Sequence, residues 1–395
     1  MPNQNKTPNK YNFDRVINRE STACIKYDLR GKIFGKTDVL PMWVADMDFE
    51  TPDFIREAIE KRSHHSVFGY SFRTASYYKS ITNWVENRHG WDIDPKWIVF
   101  SPGVVPALNF ATLAFTEKGD NVIVQPPVYF PFFSAVKDNG RTLVNNELLL
   151  KNGKYQIDFE EFENQCKNAK MFFLSNPHNP VGRVWLRDDL IKLGEICVRN
   201  NVIIISDEIH SDLIMPGYKH IPIASLSEEI ADITVTCIAP SKTFNVAGLA
   251  TSSIIIRSNI LRSKFEHIIN KYHLNNGNIF GAIASEAGYT HGASWVDELT
   301  SYIDNNFKKV KQTLLKSDSK IKLIEPEATY LAWLDFRETG LSDKQVRTLL
   351  INKAKLGLSP GFVFGPGGSG FQRLNVAAPS SIVIDAVDRL TASFD

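Results

Sequence analysis

One lysine stands just past the end of a short apolar run. In Ile238-Ala239-Pro240-Ser241-Lys242-Thr243-Phe244-Asn245-Val246-Ala247-Gly248-Leu249, the stretch Ile233 to Ile238 is rich in β-branched side chains and suits a buried strand. Pro240 and Ser241 break it into a loop. Lys242 therefore falls at the C-terminal edge of a strand, where open α/β sheets bind ligands. A lysine partly withdrawn from water there has a lowered pKa and can form a Schiff base with a carbonyl. A solvated loop lysine carries the same local spelling, so the other candidate residues must decide.

Asp207 closes the run Val202-Ile203-Ile204-Ile205-Ser206, so its carboxylate emerges from a buried strand. A buried carboxylate wants a cationic partner. A protonated pyridine nitrogen would serve, because the carboxylate keeps the ring cationic and the ring withdraws electrons from a substrate carbon. Capping a helix or pairing with an arginine would satisfy it as well. Tyr129 lies in the aromatic loop Pro126 to Phe133, where a ring can stack on a flat cofactor or simply join the core. The turn Asn176-Pro177-His178-Asn179-Pro180-Val181-Gly182 offers an asparagine amide to a phenolic oxygen, although turn chemistry explains it too. Arg373, in Phe371-Gln372-Arg373-Leu374-Asn375, could grip a carboxylate with its planar fork, whereas a lone strand arginine is usually a surface charge.

These residues need a sheet to hold them. Strands are expected at 97–100, 121–125, 171–175, 202–207, 234–238 and 252–256, with helical stretches between most of them, which implies a largely parallel sheet covered on both faces. The turn Ser101-Pro102-Gly103-Val104-Val105-Pro106 opens a helix over 107–116 and aims its first N–H groups at whatever lies above the sheet, where the dipole favours an anion such as phosphate. Upstream, Thr51 should cap a helix that begins at Pro52-Asp53, and 77–88 reads as an amphipathic helix. Past about residue 290 the pattern changes to a long helix over 293–315, strands at 321–324, 330–335 and 372–376, and a helix over 343–353. The expected organisation is an α/β chain with a segment 1–50 that returns to a small α+β domain at 291–395, around a large domain at 51–290.

Composition narrows the class. The 395 residues are 43% hydrophobic with net charge +1, enough for a sizeable core and with no bias toward nucleic acid or an acidic membrane. The four cysteines show no close pairing and no zinc-type spacing with histidine, which fits a reducing compartment. No stretch has the length of a membrane span and the polar start lacks a signal-peptide block, so a cytoplasmic protein is expected, its first ten or so residues poorly ordered.

Taken in order, Gly103-Val104-Val105, Tyr129, Asn179, Asp207, Ser241-Lys242 and Arg373 resemble the aspartate-aminotransferase superfamily of pyridoxal-phosphate enzymes, fold type I, over about residues 10 to 390. The spellings SPGVVPALN, NPHNPVGRVW, SDEIHSDL, APSKTFNVAGL, EATYLAWLD and FQRLNVAAP are similar to the PatB/MalY group of carbon–sulfur lyases, the cystathionine β-lyase type. That resemblance implies pyridoxal 5'-phosphate as cofactor, carried by Lys242. Asp207 would pair with the pyridine nitrogen, Asn179 would donate to the ring hydroxyl oxygen, and Tyr129 would stack on the ring. Gly103, Val104, Val105 and Ser241 would hold the phosphate, and Arg373 the amino acid carboxylate. Tyr70 would reach the phosphate of a partner subunit, which implies a homodimer with shared active sites. Two positions depart from the wider superfamily. His210 stands where many members place a tyrosine, as in the lyase group, and Ala250 stands where many carry a phosphate-clamping arginine. The implied reaction is α,β-elimination from an S-substituted cysteine such as cystathionine. An aminotransferase is the rival enzyme, and a cofactor-binding regulatory interaction protein the rival of another class.

Overall fold

The computed structural model describes residues 10–394, so the expectation of a poorly ordered start falls outside the described residues except at Lys10. A seven-stranded sheet forms the centre. Its strands are β1 (Ile98–Ser101), β2 (Asn121–Val124), β3 (Thr142–Asn145), β4 (Ala169–Ser175), β5 (Ile203–Asp207), β6 (Thr234–Ile238) and β7 (Ser252–Ile255). They lie in the order β1-β7-β6-β5-β4-β2-β3. All pairings are parallel except those of β7, which runs antiparallel to both neighbours. Alternating strands and helices lead to the parallel set; the reversal at β7 follows because the short connection 239–251 turns the chain back beside β6 without a crossover helix of ordinary length. Strands β1 and β6 are buried at every position, as expected of a sheet covered on both faces.

Helices α1 (Asp53–Ser63), α2 (Ala75–His89) and α3 (Val104–Phe115) precede a single helical turn α4 (Pro240–Thr243), and α5 (Ile279–His291), α6 (Ala293–Lys316), α7 (Asp343–Asn352) and α8 (Ser380–Phe394) follow. The hydroxyl of Thr74 accepts the Tyr77 N–H at the start of α2, and Gly90 ends that helix in a left-handed conformation with φ 67°. Thr51 does not cap α1 as expected: Pro52 occupies the cap position, and the Thr51 hydroxyl instead donates to the Asn245 carbonyl at 3.4 Å. Along α6, Trp295, Leu299, Ile303, Phe307, Val310 and Leu314 recur at helical spacing and are buried, each stabilising the fold by about 1.5–3 kcal/mol relative to exposure. The stripe packs against α8.

A second, antiparallel sheet collects β8 (Lys322–Leu323), β9 (Leu331–Asp335), β10 (Ser359–Pro360) and β11 (Phe371–Asn375), in the order β8-β9-β11-β10. The extended segment around Leu40–Pro41 returns to this region, pairing in parallel with Leu356–Gly357. Beyond it the chain runs on through Trp43 to Phe49, and the Asn375 side chain donates to the Val44 and Asp46 carbonyls, at 2.7 and 2.5 Å. Among the described residues no helix is long and apolar enough to cross a membrane.

Candidate active site

Parallel pairing aligns three strand ends. Ser175 sits opposite Asp207 and Asp207 opposite Cys237, so the C-terminal edges of β4, β5 and β6 open together into one cavity of about 180 Å³. Lys242 lines it from α4. The expected loop is a helical turn because Pro240 supplies a helical φ at its first position, after extended Ala239, and the Phe244 N–H closes the turn on the Pro240 carbonyl at 2.8 Å. Lys242 Nζ donates to the Ala45 carbonyl at 2.5 Å. Burial pulls the amine pKa down to about 8; Asp46 and Asp207 push it back up and Arg373 lowers it further. This lysine is not a solvated surface charge.

Asp207 is buried and faces the same cavity. Its carboxylate accepts the Ile209 N–H at 3.1 Å, and among the described residues it forms no ion pair. Burial raises its pKa from 3.8 to about 7, against the pull of the Ile209 N–H and Lys242. His210, also buried, is held neutral by burial first and by Lys242 and Arg373 next; its Nδ1 has no partner. Tyr129 forms part of the wall, its hydroxyl pKa raised by burial. The Asn179 side-chain oxygen accepts from Arg373 Nη1 at 3.0 Å, which leaves its NH₂ group as a donor.

For Arg373 burial removes the surface-charge alternative to a carboxylate grip. Strand β11 lies inside the second sheet between β9 and β10, so the guanidinium is buried. It binds Asn179 and the Trp43 carbonyl, at 3.1 Å, lies over the Phe364 ring, and keeps Nε unpartnered. At the opposite wall, Gly103, Val104 and Val105 begin α3, whose first N–H groups have no intrahelical acceptor. A Cβ at Gly103 would meet Pro106 Cδ at 3.2 Å, so glycine keeps this end open.

The cavity thus brings together Gly103, Val104, Val105, Tyr129, Asn179, Asp207, His210, Ser241 and Lys242. Arg373 adjoins it through Asn179. Tyr70 is not among them: fully exposed at 102%, it lines a separate surface hollow with Phe68 and residues 276–279.

The family described as aminotransferase class I and II matches residues 37–390. The chain belongs to the class I and II aminotransferase family. It is 48% identical over 384 residues to the cystathionine beta-lyase PatB of Bacillus subtilis (strain 168), covering 97% of this chain and 99% of that protein. A PLP-bound putative aminotransferase from Clostridium difficile 630 superposes with TM-score 0.96 at 41% identity, over 98% of this chain and 100% of that one. Cystalysin from Treponema denticola, whose structure contains pyridoxal 5'-phosphate, does so with TM-score 0.94 at 40% identity, over 97% and 98%.

For a member of this family the residues fit a phosphorylated pyridine aldehyde. Asp207 is a buried carboxylate without a cation, Lys242 an amine of lowered pKa, and the start of α3 a set of free N–H groups. The Ala250 position supplies no cation. Its residue is left-handed with φ 43°, at the rim, and Lys242 is the only lysine or arginine lining the cavity among the described residues. Sequence reasoning missed the arch formed by Trp43, Val44, Ala45 and Asp46, as well as Tyr330, which donates to the Ala45 carbonyl at 2.8 Å. The only signal was a pair of aspartates among the apolar residues of LPMWVADMDF.

Proposed function

We propose that this protein is a pyridoxal-5'-phosphate-dependent carbon–sulfur β-lyase acting on cystathionine or related S-substituted cysteines. The reading rests above all on one observation: Lys242 and Asp207, a buried carboxylate with no ion pair among the described residues, line one cavity at the sheet edge. The identity to PatB supports elimination over transamination. When bound, the cofactor would supply an electron sink for the pair left at the substrate Cα when its C–H bond breaks.

The chain's own groups do the rest. Arg373, preset by Asn179 and the Trp43 carbonyl, binds the substrate carboxylate with its planar fork. Asp207 would hold a ring N–H proton of the cofactor, and the Asn179 NH₂ would donate to its ring oxygen. Lys242, whose pKa near 8 leaves a useful neutral fraction at neutral pH, takes the Cα proton at Nζ. The Cβ–S bond breaks with its electron pair on sulfur, and the thiolate takes up a proton. The remaining carbon skeleton adds water and leaves as pyruvate and ammonia.

We assign the residues 51–290 to cofactor binding and 291–395, with 1–50, to a smaller domain that brings Arg373. A homodimer is supported by Val67, Phe68, Tyr70 and Phe72, which stand exposed together on one loop. Four free cysteines, three of them buried, support a cytoplasmic setting. Purified protein loaded with pyridoxal 5'-phosphate should release thiol and pyruvate from cystathionine without any keto acid. Turnover only when a keto acid is added would make it an aminotransferase. Mixing Lys242→Ala and Tyr70→Ala chains should restore one working site per dimer; no recovery on mixing would refute shared sites.

A further inference from the structure

Lys242 is followed by Thr243, which turns away from the cavity into a buried polar cluster. The Thr243 hydroxyl donates to Asp212 at 2.7 Å. The other Asp212 oxygen accepts from Trp84 Nε1 and lies the same 3.1 Å from His89 Nε2, with Arg88 Nε at 3.7 Å; all three residues belong to α2. The His89 ring meets His220 edge-on with centroids 5.1 Å apart, and His220 Nε2 lies 2.8 Å from Glu208, the residue after Asp207. Neither Thr243, Asp212, His89, His220 nor Glu208 lines the cavity.

A four-residue turn cannot hold its own shape, since a first helical turn costs more order than its one hydrogen bond returns. Its position must come from its side chains. The lysine stem is long and flexible, so where Nζ can reach depends on where Cα is anchored, and a misplacement of about 1 Å can cost about a hundredfold in rate. We infer that Thr243 and Asp212 form a positioning pair that anchors the Lys242 turn to α2 and so sets the reach of Nζ into the cavity. Neither touches substrate or cofactor. The inference rests on Lys242 carrying the cofactor.

Thr243→Val keeps the shape and removes the donor, while Thr243→Ser keeps the donor. In the holoenzyme, Thr243→Val should lower kcat about tenfold with KM within about twofold, the loss of one hydrogen bond to a charged group. It should also weaken the circular dichroism of the cofactor's absorption band, which reports how the lysine-linked ring is tilted, and Thr243→Ser should restore both. Wild-type dichroism and kcat in Thr243→Val would overturn the pairing, as would a loss that Thr243→Ser fails to restore. Should Thr243→Val not fold, Asp212→Asn carries the test, and unchanged dichroism there overturns it. A Lys242→Ala control separates the premises: if its cofactor absorbance matched the wild type, the lysine assignment itself would fall, whatever Thr243 did.

Discussion

Asp207 and Asp212 stand five residues apart, equally hidden at 7% and 6% exposure, yet their carboxyl groups are opposite in character. Burial raises the pKa of both, but Asp207 has only one backbone N–H and the charge of Lys242 against it and ends near 7. At Asp212, His89, Arg88 and Thr243 outweigh burial and hold the carboxyl below its usual range. Depth therefore does not set a buried carboxylate's chemistry; the number of donors turned toward it does. The residue short of donors faces the cavity, and the residue fully supplied ties the lysine turn to a helix. A free apoprotein bears the cost of the first, which a cationic ligand would offset.

The largest test of this contrast removes one neighbouring side chain from each carboxylate. Lys242→Ala should cut turnover about 10⁴-fold and abolish the visible absorbance of the linked cofactor. His89→Gln, beside Asp212, should cost about tenfold or less, read by steady-state kinetics. Next, Asp207→Asn, which cannot hold a ring cation, should lower kcat by about 10³. Arg373→Lys, losing the planar fork, should raise KM about tenfold to a hundredfold, measured across S-substituted cysteines.

The smallest effect is in stability. Between pH 3.8 and about 7 the folded apoprotein keeps a proton on Asp207 that the unfolded chain has lost, so this group makes stability fall as pH rises through that window. Lys242, lowered from 10.5 to about 8, makes stability rise again above pH 8. Thermal melts of the apoprotein should show these two contributions leaving a trough between them. Asp207→Asn should remove the acid-side slope, on the order of 4 kcal/mol at most, and stabilise the apoprotein near pH 7.5. Asp212→Asn should destabilise it by about 2 kcal/mol at neutral pH, where its donors lose a charged acceptor, and the difference should shrink in acid as Asp212 itself takes up a proton. Similar melts for the two variants would erase the distinction.

Much of the site was legible in the sequence because strand ends are. Apolar runs closing on Ser175, Asp207 and Ile238 announce their own edges, and parallel pairing places such edges side by side. Local reading failed where a distant partner decided. Thr51 looked like a cap until Asn245 claimed its hydroxyl, and Pro240-Ser241 looked like a loop until Phe244 closed the turn. Arg373 was expected to grip a carboxylate, but nothing nearby in sequence says that Trp43 and Asn179 will enclose it.

The sequence by itself determined the α/β class, the sheet-edge lysine and aspartate, and the anion-ready start of a helix, because each follows from periodicity and turn chemistry within a few residues. Tertiary structure alone decided the protonation of those groups. A pKa depends on which donors and charges converge in space, and the groups around Lys242 and Asp212 come from segments about 200 and 120 residues away, Ala45 and Asp46 to one and Trp84 and His89 to the other.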